Sequence, residues 1–186
     1  MSVEKLRWMV LASLMAALTA VGAYIHVPFG PVPIVLSTLF VILSGLLLGS
    51  RWGPASMALY LLVGAIGIPV FAGGRGGFAH FIGPTGGYLM GYLVSAWITG
   101  LISERANRLL IRDVIAVVIG SLTLYGCGVP WLKIVTQMSW SKTLLMGVIP
   151  FLIGDAFKAS VAVILARSVR PMLTRLSESP SSHSHL

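Results

Sequence analysis

The sequence predicts an all-α polytopic membrane protein with six transmembrane helices. Three observations carry that expectation. Hydrophobic residues make up 56% of the 186-residue chain and charged residues only 10%. The mean hydropathy is +0.93. The apolar residues fall into six separate runs, and the basic residues cluster between them. Soluble domains average about 25% charged residues, so an ordinary water-soluble fold is excluded, and the dominance of apolar residues excludes disorder. The runs are continuously apolar rather than alternating, which disfavours a transmembrane barrel.

The runs cover about residues 7–26, 32–50, 53–68, 84–103, 113–132 and 144–168. A span needs about 20 mostly apolar residues. The first run follows basic residues as a signal peptide would. It continues past signal-peptide length without a cleavage site, so it reads as a retained helix. The second and third are short and interrupted by glycine, so one of them is expected to be broken, tilted or partly re-entrant. Residues 1–176 then form a single bundle. Residues 177–186, Ser-Glu-Ser-Pro-Ser-Ser-His-Ser-His-Leu, form a polar tail expected to be disordered. His183 and His185 in that tail read as solvated rather than as metal ligands.

Six spans put the N-terminus, the 2–3 link, the 4–5 link and the tail on one side. That side holds nine bases: Lys5, Arg7, Arg51, Arg105, Arg108, Arg112, Arg167, Arg170 and Arg175. The other side holds Arg75, Lys133 and Lys142, and Lys158 falls inside the sixth run. The asymmetry predicts a cytoplasmic membrane protein with both termini in the cytoplasm. It also accounts for the net charge of +8, so nucleic acid is not an expected partner. Cys127 is alone and forms no internal disulfide, and no Cys/His spacing points to zinc. No catalytic motif or paired carboxylate is present, so no enzymatic activity, metal or cofactor is expected. His26 and His80 read as interfacial, and Trp52, Trp131 and Trp140 as belt residues.

Of five acidic residues, Glu4, Glu104, Asp113 and Glu178 lie at predicted helix ends or in the tail, whereas Asp155 sits inside the sixth run. Asp155 and Lys158 share a helix face at three-residue spacing. Charges inside a membrane cost about 2.5–3.5 kcal/mol each on insertion scales and usually mark a solute path. One reading is a site offering an acceptor and a donor to a neutral polar group; the other is an ion pair gluing the sixth helix to the bundle. A proton relay is disfavoured because no other span holds a carboxylate.

A second constellation runs from Gly67 to Gly77, including Phe71, Gly73, Gly74 and Arg75, and continues through Gly83-Pro84-Thr85-Gly86-Gly87-Tyr88. Glycine lets backbone approach a ligand closely, and irregular backbone at membrane depth survives only against protein or a wet cavity. This stretch is expected to line an outer pocket, with its amides and Arg75 holding an anion; the alternative is a flexible loop with no ligand. In the first run, Ala12, Ala16 and Ala20 form a small-residue stripe. Packing within the bundle and docking of another membrane protein are equally good readings of it.

Residues 60–74, Tyr-Leu-Leu-Val-Gly-Ala-Ile-Gly-Ile-Pro-Val-Phe-Ala-Gly-Gly, resemble the BioY biotin-transport family, as do residues 83–89, Gly-Pro-Thr-Gly-Gly-Tyr-Leu, and 154–158, Gly-Asp-Ala-Phe-Lys. Pro31-Val32-Pro33 and the Leu-rich run after it also fit, so the likeness spans nearly the whole chain. The resemblance implies a substrate-binding (S) component of an energy-coupling factor (ECF) transporter. Such a protein has six helices and carries biotin as transported ligand. It implies binding roles for Asp155 and Lys158, and a docking role for Ala12, Ala16 and Ala20 against a coupling transmembrane subunit served by two ATPase subunits. Some family members have asparagine after the Val-Phe-Ala stretch, where this chain has Gly73 and Gly74. With that ligand, Asp155 accepts from a ureido NH, and Lys158 donates to the ureido oxygen or pairs with the carboxylate. Arg75, Gly74 and Thr85 take the other end, and Phe71 and Tyr88 pack on the rings. The chain has no ATP-binding motif. A solitary facilitator, a homo-oligomer and a carrier for another small solute remain alternatives, with a membrane enzyme further behind.

Overall fold

The computed structural model describes residues 2–104 and 109–178, with side chains of the last helix described through Leu173. Arg105, Arg108, the Arg175 side chain, His183 and His185 lie outside the described residues. The elements are α1 (Val3–Tyr24), β1 (His26–Val27), β2 (Ile34–Val35), α2 (Ser37–Ala65), α3 (Ala79–Ile82), α4 (Gly86–Glu104), α5 (Leu110–Thr136), α6 (Trp140–Gly147) and α7 (Ile149–Glu178).

The Ser2 hydroxyl accepts from Lys5 N–H at 3.4 Å and caps α1. The helix gives way to an antiparallel hairpin that pairs His26 with Val35 and Val27 with Ile34. Pro28, Pro31 and Pro33 keep residues 28–33 out of a helix. The second span therefore begins at Ser37, not near residue 32. Residues 32–35 instead form the hairpin and its turn.

α2 does not run straight. Gly49 has φ 75° and ψ −169°, a backbone region essentially restricted to glycine. A Cβ on Gly53 would lie 3.1 Å from the Gly45 Cα, although eight residues of straight helix put two Cα atoms about 12 Å apart. Residues 50–65 thus double back on residues 37–48, and the second and third spans are two limbs joined at one residue. α1, the two limbs, α4, α5 and α7 make six passages. By length and composition, Val3–Tyr24, Ser37–Ala65, Leu110–Thr136 and Trp140–Leu173 are apolar enough to cross a membrane. The outer face of α7 carries Ile153, Phe157 and Ile164 at 87%, 72% and 64% exposure, a surface suited to lipid and not to water.

The core joins all passages. Met57, Tyr60, Tyr92, Ala96 and Leu132 pack at its centre, and a second cluster gathers Leu39, Ile42, Ala116 and Ala162. Ala12 and Met15 of α1 pack against Leu48 beside the Gly49 reversal, and Ala16 enters the central core. The alanine stripe is therefore covered by this chain. Ala12 and Ala16 are buried and Ala20 half-buried, so in this conformation the face proposed for docking is occupied from within. Trp52 packs in the same cluster, with the Arg51 guanidinium 6.0 Å from its ring centroid.

One end of the bundle is stitched by charge. The Arg170 guanidinium pairs bidentately with Asp113 at 2.6 and 2.9 Å and donates to Ser103 Oγ at 2.7 Å. It also donates twice to the Leu46 carbonyl, at 3.2 and 3.0 Å. Leu46 O belongs to the last turn before Gly49, whose carbonyls lack helical partners, so Arg170 caps that limb. Glu104 accepts from Ser50 N–H at 2.9 Å and from its hydroxyl at 2.6 Å, and so caps the next limb. Asp113 stands in the first turn of α5, the helix end expected for it, and is fully buried, because α7 and the 37–48 limb close over it. Arg7 donates to Leu173 O at 3.0 Å, so the two ends of the bundle's chain share this side. The last helix also runs to Glu178, past the tail boundary expected at residue 177, because nothing in Leu176–Glu178 breaks a helix.

Candidate functional site

The opposite end holds a cavity of about 340 Å³, a size ordinary for small-molecule sites. Its charged floor comes from α7. Lys158 Nζ lies 2.5 Å from Asp155 Oδ1, as three-residue helical spacing allows. The same ammonium donates to Val35 O at 3.0 Å and Thr38 Oγ1 at 2.8 Å. Lys158 therefore ties α7 to the hairpin and to the first turn of α2, more than 100 residues away in sequence. The Tyr125 hydroxyl of α5 donates to Asp155 Oδ2. Oδ1 is buried and takes no aligned hydrogen bond; its closeness to Nζ is an ion pair, and the aligned N–H bonds of the ammonium go to Val35 and Thr38. A buried carboxylate oxygen with unused acceptor capacity can take an N–H donor from a solute.

Aromatic walls rise from this floor. Tyr60 and Tyr92 stack at 6.2 Å, and Phe71 meets Tyr60 edge-on at 5.6 Å. The Tyr92 hydroxyl shares a 2.7 Å hydrogen bond with Ser37, and Tyr88 donates to Gly147 O at 2.8 Å. Phe71 fits because Gly64 has no side chain; a Cβ there would fall 2.1 Å from the ring. Phe71 and Arg75 exchange backbone bonds at 2.8 and 3.3 Å and close a tight loop. Trp131 Nε1 donates to Gly83 O at 3.0 Å and holds the next loop.

Asp155, Lys158, Arg75, Phe71, Thr85 and Tyr88 all line the cavity. Gly74 does not: it turns towards the Tyr24 ring, and Gly73 takes the lining position. His26 and His80, expected at the interface, also line it, because the hairpin and α3 fold over the mouth. Tyr125, Thr38, Tyr60 and Tyr92 were not singled out from the sequence. Their signal is tyrosine or threonine inside an apolar run, where the apolar part can pack while the hydroxyl finds a partner.

Residues 1–175 match the BioY family. A probable biotin transporter BioY from Pyrococcus horikoshii is 41% identical over 160 residues, covering 86% of this chain and 94% of that protein. The biotin transporter BioY of Thermotoga maritima is 36% identical over 167 residues, with 90% and 98% covered. Among solved structures, the S-component for biotin from an ECF-type ABC transporter superposes with a TM-score of 0.85 at 27% identity, covering 92% of this chain and 95% of that one. By sequence over nearly its whole length, and by fold, the chain belongs to the BioY family.

Proposed function

We propose that this chain binds biotin in the cavity and serves its uptake as the substrate-binding component of an energy-coupling factor transporter. The observation that carries the reading is the Asp155 carboxylate, fixed by Lys158 and Tyr125, with one buried oxygen open to a donor. A ureido ring presents NH donors to such an acceptor, and the fused apolar rings suit walls built by Phe71, Tyr88 and Tyr92. Lys158 already directs its N–H bonds at Val35 and Thr38 and its charge at Asp155. Two of its three N–H donors are thus taken and the third lies beside Asp155, so its first role is to hold Asp155 in place. Relatives that carry the name biotin transporter over most of the chain support the ligand.

The side bearing Arg7, Arg51, Arg112 and Arg167 lies opposite the cavity mouth, and the bias of basic residues supports placing it in the cytoplasm of a cell-membrane protein. Transport then draws on a partner coupling subunit and ATPases. The test is biotin binding by the purified protein in detergent, beside Asp155→Asn and Lys158→Ala. Asp155→Asn is expected to weaken binding about 10–100-fold, as loss of a hydrogen bond to a charged group implies. Absence of biotin binding by the folded wild-type protein overturns the reading.

A further inference from the structure

We propose that the cavity mouth is an anion-recognising rim made by Arg75, His26 and His80, so that the site selects the free carboxylate form of its ligand and holds it more tightly as pH falls. The inference rests on the biotin reading above and adds two residues to it. All three side chains line the cavity, and one loop gathers them. Arg75 closes the 71–75 turn. The His80 ring meets Phe71 edge-on at 5.8 Å, and His26 Nε2 sits 3.4 Å from where Gly73 would carry a Cβ.

The tautomer of His26 is set by its neighbour. Nδ1 lies 3.0 Å from the Tyr24 carbonyl, which can only accept, so Nδ1 carries hydrogen and Nε2 of the neutral ring faces the cavity as an acceptor. Protonation turns that same atom into a donor.

The charges around the cavity favour an anion. Asp155 is the one carboxylate among the described lining residues, and Lys158 neutralises it. No described carboxylate lies within ion-pair distance of Arg75, His26 or His80. The other titratable groups facing the cavity are Tyr60, Tyr88, Tyr92 and Tyr125, which are neutral across the relevant range. The lining thus carries a net +1 with both histidines neutral and +3 with both protonated. A ligand carboxylate ionises near about 4.3, so across the range tested below the ligand stays anionic, and each imidazole that takes a proton adds positive charge beside it.

The test is calorimetric binding of biotin and of its neutral carboxamide to the full chain in detergent at pH 5.5, 6.5, 7.5 and 8.5, with helicity checked at each pH. Biotin is expected to bind about three- to tenfold more tightly at pH 5.5 than at 8.5, the scale of two partly exposed ion pairs. The carboxamide profile is expected to be flat, and a His26→Gln/His80→Gln double variant to flatten the biotin profile. Arg75→Gln is expected to weaken biotin at every pH and leave the carboxamide unchanged. Parallel profiles for the two ligands, a flat biotin profile, or a slope that survives the double variant overturns the rim while leaving biotin binding intact. Failure of both ligands to bind folded protein at every pH removes the biotin reading and the rim together.

Discussion

The buried Asp113–Arg170 pair is where one substitution has the largest calculable effect. Asp113→Ala takes the carboxylate away from a guanidinium that is only 8% exposed. Two charge-assisted hydrogen bonds, at 2.6 and 2.9 Å, disappear. At about 1.5–3 kcal/mol each they sum to about 3–6 kcal/mol, and breaking a buried pair from one side costs about 3–5 kcal/mol. The two routes agree, and about 3–5 kcal/mol is the expected loss. Arg167 approaches Asp113 only to 3.8 Å and its side chain is 45% exposed, so solvent screening leaves its share below about 1 kcal/mol. Replacing both partners, Asp113→Leu with Arg170→Met, removes both desolvated charges. It leaves the Leu46 carbonyl uncapped and takes both Asp113 and Arg170 from the buried Ser103 hydroxyl, so it is expected to cost about 1–3 kcal/mol. Unfolding in mixed micelles of rising SDS fraction, followed by the fluorescence of the five tryptophans, reads these differences. Biotin affinity of the folded double variant is expected to be unchanged, because the cavity lies at the other end. A single-variant loss below 1 kcal/mol, or a double variant worse than Asp113→Ala, refutes the reasoning.

Two further predictions concern the reversal and the floor of the cavity. Gly49→Ala combines about 1–3 kcal/mol of backbone strain with a Cβ only 1.9 Å from Glu104 Oε1, so it displaces the cap on Ser50 as well. Gly67→Ala, at φ 102° with nothing within 4 Å, carries strain alone. Helix melting by circular dichroism is expected to place Gly49→Ala well below Gly67→Ala, and equal midpoints would remove the argument from the Glu104 contact. Tyr125→Phe keeps the ring but withdraws the donor to Asp155 Oδ2. Biotin affinity is expected to fall about tenfold, the scale of one hydrogen bond to a charged group, with little change in melting. Unchanged affinity would mean that Tyr125 does not position the carboxylate.

The buried network also shows where reading along the chain fails. Asp113 stands three residues into α5, beside Arg112, and looks like an ordinary helix-end acid. Its burial depends on α7 arriving 57 residues later with Arg170. No local pattern carries that information. The stripe of Ala12, Ala16 and Ala20 was legible as a surface permitting close approach, but not whose surface approaches. In this structure Leu48 and the central core of this same chain pack against Ala12 and Ala16.

The sequence by itself determined the solvent, the number of passages and the sidedness of charge, because each follows from local composition and from the length of apolar runs. It also determined that Asp155 and Lys158 share a face, since three-residue spacing is a property of any helix. Tertiary structure alone decided that Lys158 reaches Val35 and Thr38, that Tyr125 supplies the hydroxyl on Asp155, and that His26 and His80 turn inwards over the cavity. It decided too that residues 37–65 reverse at Gly49 with caps from Glu104 and Arg170. These are pairings between groups from 30 to more than 120 residues apart. Helical periodicity fixes which side of a helix a residue occupies. Only the packed bundle fixes what stands opposite.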